Sequence, residues 1–460
     1  MADIESAKPQ DADADTSYYP QGADIEELSL LTVSGQRIEL KKMMIELSYY
    51  EDIYSFAISG SLSIRDGIGL VEKFQLTGNE YLEVNFGRVK GSAQNIKKIF
   101  RVYKLGNRFP VGNLNSEFFT MYFCSEELLL SEQMKISKSY TLKGSSGDTI
   151  SNIVESILKN ELKVKKTLSI EKTTGVYNFI VPRVRPFEAI SWLSMYARPE
   201  AQDLQGADML FFENRDGYNF KSLRSMYTQT PYQTYKYQQN NTDSTLEQKS
   251  VSVLQYEFVK TYDILNEISS GTFANRLISV DPLTRSYKVT DFDYNVYKSK
   301  VPSLNGNGVV GDATNRLGNT QNGSPESMVK VVIGNSGQYT VPYINKNPGS
   351  VANDIYIENF MPNRTAQIAL ANYTVVKIVV PGDPQIKAGM TVNFNIYSFQ
   401  MDGDKRELDK YYSGKYLVNA VRHILQSNGV YQSVLEIAKE SYGSKLQTVD
   451  KTTNTKAASE

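Results

Sequence analysis

A mainly β chain carrying an inserted α/β unit is what this sequence predicts, and three observations predict it. Of 460 residues, 31 are Tyr while Trp and His occur once each, and tyrosine favours pleated, half-buried surfaces and interfaces. Alternating apolar positions recur in two separate stretches, one before Cys124 and one after Val251, as strands with one solvated face require. Between them the period becomes helical, with Ile150, Ile153, Val154, Ile157 and Leu158 on one face.

Composition bounds the rest. At 40% hydrophobic and 22% charged residues the chain can bury several cores, and the length suggests about three domains. The formal net charge of −1 supplies no global field for drawing in nucleic acid or anionic lipid. Met1 to Glu27 carries eight acidic residues against Lys8 alone and reads as a solvated, disordered arm. That arm has no apolar core of a signal peptide. Even the run Thr374 to Val380 is too short to span a bilayer and contains Lys377. The expected setting is a reducing cytoplasm.

Taken in order, Tyr54, Phe56, Ile58, Leu62 and Ile64 fall on one parity and predict a long strand, with Gly60 marking a bulge or a close backbone approach. Leu82 to Phe86, Ile99 to Leu105 and Glu117 to Ser125 add further strands of an antiparallel sheet or barrel. The helix over Thr149–Leu162 takes Asp148 as its N-cap. A second helix opens at Pro186, a residue suited to the first helical position, and ends before Pro199. Met209 to Phe212 form a buried strand, and Asp216-Gly217 predicts a tight hairpin into Tyr218 and Phe220. Tyr227 to Ser250, rich in Tyr, Gln and Asn, reads as a linker or surface loop.

From Val251 strands return: Leu254, Tyr256 and Phe258 on one parity, then Leu277–Val280 and Tyr287–Tyr294. Lys298 to Glu326 reads as a loop, and Val329 to Ile357 as a few short strands. Tyr373–Val380, the turn Pro381–Pro384 and Val392–Ile396 restore clear strands. Tyr416–Leu425 and Val430–Ala438 form a hairpin about Ser427-Asn428-Gly429. The polar tail after Gly443 reads as mobile. Ser59–Ile64 and Ser413–Val418 each place Gly before a strand, a faint sign of duplication.

Chemistry finds little purchase. Gly306-Asn307-Gly308-Val309-Val310-Gly311 is a literal G-x-G-x-x-G, but a dinucleotide site needs a strand before it and a helix after it, and here loop flanks it. Cys124, in a strand context, reads as a buried inert thiol. His423, the only histidine, removes paired-His metal sites and reads as a packed or interface residue. Asp291 and Asp293 share one strand face and Asp281 precedes Pro282. Paired carboxylates suit glycoside hydrolysis or a divalent cation, and a solvated strand end explains them as well. No catalytic, cofactor-binding or metal-binding residue is assigned, and no enzyme is predicted.

Four stretches in order resemble the baseplate hub proteins of contractile-tailed bacteriophages: Ser48–Gly67, Pro186–Leu223, Tyr262–Tyr287 and Tyr411–Tyr442. With their surroundings they cover Leu28–Tyr297 and Thr365–Tyr442. The resemblance implies two tube-type antiparallel β-barrels in one chain, separated by inserted domains. It places the first barrel at 28–128 and an α/β insertion at 129–250. The second barrel, at 251–300 and 366–442, is interrupted by an inserted loop or small β region at 301–365. Residues 1–27 are then the arm and 443–460 a flexible tail. It further implies a homotrimer forming a pseudo-sixfold ring between the tail tube and a central spike, which carries any lysozyme activity. Baseplate wedge proteins lie outside, DNA passes through the lumen on ejection, and the protein is part of the virion, assembled in the host cytoplasm. Two rival readings remain: a hub or spike component of a related injection machine, and a carbohydrate-acting or wall-binding protein using Asp291 and Asp293.

Overall fold

The computed structural model describes residues 22–89, 95–112, 116–140, 148–175, 179–201, 208–237, 251–281, 285–298, 303–308, 325–333, 357–402 and 405–444. Most of the expected acidic arm, the second half of the G-x-G-x-x-G run, the polar stretch 238–250 and nearly all of the C-terminal tail lie outside these residues. The chain is mainly β with an α/β insertion, as its sequence predicts.

Seven strands come first: β1 Ala23–Leu31, β2 Arg37–Glu39, β3 Met44–Asp52, β4 Ser59–Asp66, β5 Tyr81–Arg88, β6 Ile96–Val111 and β7 Ser116–Cys124. Their hydrogen-bonded order is β3-β4-β7-β6-β5-β1-β2. Leu28 and Leu30 from one end share a core with Leu47 and Tyr49 from the other, together with Leu62, Ile64, Phe86, Phe100 and Phe119. The set therefore wraps round its own apolar face, each such side chain contributing about 1.5–3 kcal/mol of transfer free energy. The acidic run is not irregular all the way to Glu27, because Ala23–Glu27 is already β1, with Asp24 and Glu26 on its exposed face.

The single strand expected through Tyr54 and Ile64 is two strands. Asp52 Oδ1 accepts the Tyr54 amide at 2.8 Å and the Ser55 amide bonds the Asp52 carbonyl at 3.1 Å, turning the chain. Phe56 leaves the sheet and packs against Phe187 and Phe211 of the insertion. Gly60 is the close approach: a Cβ there would stand 2.2 Å from Phe123 Cζ.

The insertion follows, with β8 Ile136–Tyr140, β9 Thr167–Ile170, β10 Phe179–Val184, β11 Met209–Asn214 and β12 Gly217–Ser222. The five apolar residues from Ile150 to Leu158 are all buried, in a helix whose last turn, Ile157–Glu161, is wound more loosely. Its N-cap is Thr149, which accepts from the Asn152 amide, rather than Asp148. Helix Pro186–Ser194 begins on its proline and buries Phe187, Ile190 and Leu193 against Phe211, Tyr218 and Phe220. In the hairpin Asn214 pairs with Gly217, so the two turn residues are Arg215-Asp216, one place earlier than expected.

A further strand, β13 Thr234–Lys236, occupies what reads as linker, because Tyr235 is buried and the strand pairs β20. Next come β14 Gln255–Lys260, β15 Ala274–Asp281, β16 Ser286–Asp293, β17 Asn307–Gly308, β18 Val329–Ile333, β19 Thr374–Pro381, β20 Thr391–Asn395, β21 Tyr397–Asp402, β22 Lys405–Leu408, β23 Gly414–Gln426, β24 Tyr431–Lys439 and β25 Ser441–Tyr442. The order β14-β19-β24-β23-β20-β13 closes through a bridge between Lys236 and Ser252, around Val376, Ile378, Phe394, Tyr416, Val418 and Leu435. Strands β15 and β16, expected to belong with this set, and β18, expected among the short strands of the inserted region, form a separate three-stranded sheet. That sheet packs against helix Met361–Ala371, which occupies the place where the second β region was expected to resume at Ala366.

The two sets have the same plan. In chain order β3, β4, β5, β6, β7 answer to β14, β19, β20, β23, β24, and every neighbour relation among the five is antiparallel in both. The duplication is thus present in the topology, although Ser59–Ile64 (β4) and Ser413–Val418 (β23) are not equivalents of one another. The first strands differ: β1 runs antiparallel to β5, β13 parallel to β20. The sets are sewn into one 13-stranded sheet by β3 pairing with β23, from Glu46 opposite Gln426 to Asp52 opposite Ala420.

Candidate assembly junction

Three bodies meet where β3 pairs with β23: the first set, the second set and the β11–β12 hairpin. The hairpin tip reaches the second set. Asn214 donates to the Ala388 carbonyl at 3.2 Å, Arg215 donates to the Pro384 carbonyl, and Asp216 pairs with Lys387. Gly217, at φ 140°, is required there, since a Cβ would sit 2.1 Å from the Thr167 carbonyl oxygen of the neighbouring parallel strand.

Buried carboxylates tie the tip to both sets. Glu213, whose side chain is fully buried, accepts the Ile58 amide at 3.0 Å and pairs with Lys166 at 2.7 Å. Lys166 also pairs with Glu127 at 2.6 Å. Glu51 of β3 accepts from the Tyr49 hydroxyl at 2.8 Å and from the Ala388 amide at 3.0 Å. Burial pushes the Glu51 carboxyl up to about 7 despite these bonds. On the outer face of the same pairing Arg422 meets Glu46 at 3.0 Å and covers the Tyr50 ring.

His423 lies in this junction, fully buried among Tyr49, Phe86 and Tyr431. Burial first, and the nearby Arg215 charge second, hold it down to about 3, so it is neutral at ordinary pH. The expectation of a packed histidine is met, and the residue it packs against across the joint, Tyr49, belongs to the other set.

The other singled-out residues do not gather here. Cys124 is buried at the end of β7, its thiol pushed up to about 11 by burial. Asp291 receives two bonds from Arg276, at 2.7 and 3.0 Å, which lower its pKa. Asp293 caps helix Tyr294–Tyr297 through the Asn295 amide at 2.9 Å. Each carboxylate thus has a structural partner of its own. Asp281 ends β15, paired with Ser286. Asn307–Gly308 of the glycine run pair with β25, and 309–311 lie outside the described residues. Among the described residues no cluster of three or more metal-binding side chains occurs, and no helix is long and apolar enough to cross a membrane.

Sequence reasoning passed over Glu51, Glu213 and Lys166. A trace of two of them was present: Glu51 shares the inward parity of Leu47 and Tyr49, and Glu213 ends the apolar run Met209–Phe212.

No family model matches the chain. Over 408 residues, however, it is 25% identical to the "Probable baseplate hub protein gp334" of Vibrio phage KVP40, covering 86% of this chain and 89% of that one. Over most of its length the chain is similar to a phage baseplate hub protein. Two solved tail proteins share the chain's fold. The tail protein of Neisseria meningitidis MC58 superposes with a TM-score of 0.50 at 11% identity, over 91% of this chain and 97% of its own. The 43 kDa tail protein of prophage MuSo2 from Shewanella oneidensis gives 0.52 at 7% identity, over 90% and 98%. The likeness in fold thus runs through both strand sets and the insertion between them.

Proposed function

We propose that this chain is a structural virion protein, the central hub of a contractile-tail baseplate. Three copies form a ring of six like β regions, each region a tube-type barrel, with the wrapped set β1–β7 as the first and the set closed through the bridge between Lys236 and Ser252 as the second. The ring joins the tail tube above to the central spike below, wedge proteins bind outside it, and DNA passes through its lumen on ejection. Its role is mechanical, without catalysis of its own.

One observation carries this reading beyond the hub likeness: two strand sets of the same plan, joined edge to edge through β3 and β23. A chain holding two equivalent units is what converts threefold symmetry into approximate sixfold symmetry. The near-neutral charge favours the same reading, since a lumen that lets DNA slide cannot grip phosphates.

Light scattering with negative-stain imaging of the purified protein tests it. A trimeric ring with a central channel is expected. A stable monomer that also fails to trimerise with its spike partner overturns the proposal.

A further inference from the structure

We infer that the ring closes by the same strand pairing that joins the two sets inside one chain: β14 of one protomer adds to the outer half of β6 in the next. This rests on the ring proposed above, and names the partner surface.

The repeat supplies the argument. In the first set β3 is the terminal strand, and its outer edge is taken by β23. The equivalent terminal strand of the second set is β14, which pairs with β19 on one side and with no strand on the other among the described residues. The acceptor has an equivalent too. On β23, Gly414–Leu417 face β20 while Ala420–Gln426 face β3. On β6, Ile96–Arg101 face β5, but the stretch from Tyr103 onwards has β7 on one side only among the described residues. The two long strands even shift register at matching points, between Val102 and Lys104 and between Val418 and Ala420.

Burial repeats the contrast. Where the joint exists, Leu47, Ser48 and Tyr49 are buried, as are Val421, His423 and Leu425. Where it is inferred, no residue of β14 is buried and Val259 is 53% exposed, and on β6 Tyr103 and Phe109 are 46% and 49% exposed. Unpaired edges with exposed apolar residues are templates for pairing with another chain. Each protomer has one β14 edge and one β6 edge, so the contact runs head to tail, the kind that closes rings. Pro110, which brings no amide hydrogen, ends the available edge.

Carrying the internal register across, Gly106 takes the place of Arg422 and Phe109 that of Ile424, while Lys260 takes that of Tyr50 and Glu257 that of Ser48. Glu257 of one chain thus stands opposite Phe109 of the next, about 4.5–5.5 Å between Cα atoms, within disulfide reach. The single native cysteine is buried, so cross-linking reads cleanly. The oxidised double variant Phe109→Cys/Glu257→Cys is expected to run in a denaturing gel as a covalent species of three times the chain mass, and each single variant at the chain mass. A double variant that is trimeric by light scattering yet stays uncross-linked overturns the joint and leaves the ring standing. Covalent dimers from either single variant mean a symmetric contact and also overturn it. A protein that stays monomeric even with its spike partner takes down ring and joint together.

Discussion

His423 stands directly opposite Tyr49 across the β3–β23 pairing, with their rings 5.7 Å apart, and its Nδ1 lies 2.9 Å from the Tyr431 hydroxyl. The only histidine of the chain is thereby placed at the seam between the two strand sets, neutral and out of water.

That placement gives an acid limb to stability. The folded pKa of about 3 lies below the ordinary value of 6.5, so the unfolded chain binds the extra proton between them. The contribution is whole above about 6.5 and is lost as pH falls towards 3. Urea unfolding across this range is expected to show stability falling with acid, and less steeply in His423→Gln.

Glu51 works with the opposite sign. Its folded pKa of about 7 lies above the ordinary 4.5, so the folded chain holds the proton longer. Its contribution is whole below 4.5 and is lost as pH rises through 7. Relative to wild type, Glu51→Gln is expected to gain stability between pH 5 and pH 8, read from denaturation midpoints at the two values.

Removing Lys166 strands Glu213 and Glu127 without their cation. Breaking a buried pair from one side costs about 3 kcal/mol. Lys166→Met is therefore expected to lower unfolding free energy by that order, and adding Glu213→Gln to recover part of it. Full additivity of the two changes in a double-mutant cycle contradicts the coupling.

Gly60 admits no side chain. A Cβ would lie 2.2 Å from Phe123 Cζ and 2.5 Å from the Ser48 carbonyl oxygen, and overpacking of this kind costs about 1–3 kcal/mol. Gly60→Ala is expected to unfold earlier on heating, and Phe123→Leu to relieve only the ring clash, because the Ser48 backbone cannot withdraw.

Much of this fold is legible in the sequence wherever one periodic signal dominates. The Asn428-Gly429 hairpin, the Pro186 helix start and the buried face from Ile150 to Leu158 are each set by local chemistry, and each is found where it is expected. The misses are tertiary. Tyr54 and Phe56 keep strand parity in sequence, but Asp52 turns the chain and Phe56 is claimed by a different core. Strand β13 has too few residues to announce itself, and exists because β20 offers an edge. Of the junction, His423 was visible as a lone packed residue. Glu51, Glu213 and Lys166 were not, because what makes them matter is contact with residues remote in the chain: Glu51 meets Ala388, Glu213 meets Ile58, and Lys166 meets Glu127 and Glu213.

The connection between the first two strands of each set differs greatly in length. Between β3 and β4 the chain needs only the short turn from Asp52 to Ser59, whereas between β14 and β19 the same corner holds everything from Lys260 to Thr374, including a helix and a three-stranded sheet. The ladder tolerates both, which makes this corner a socket: a lineage can exchange what is plugged there without renegotiating a single hydrogen bond of the seam.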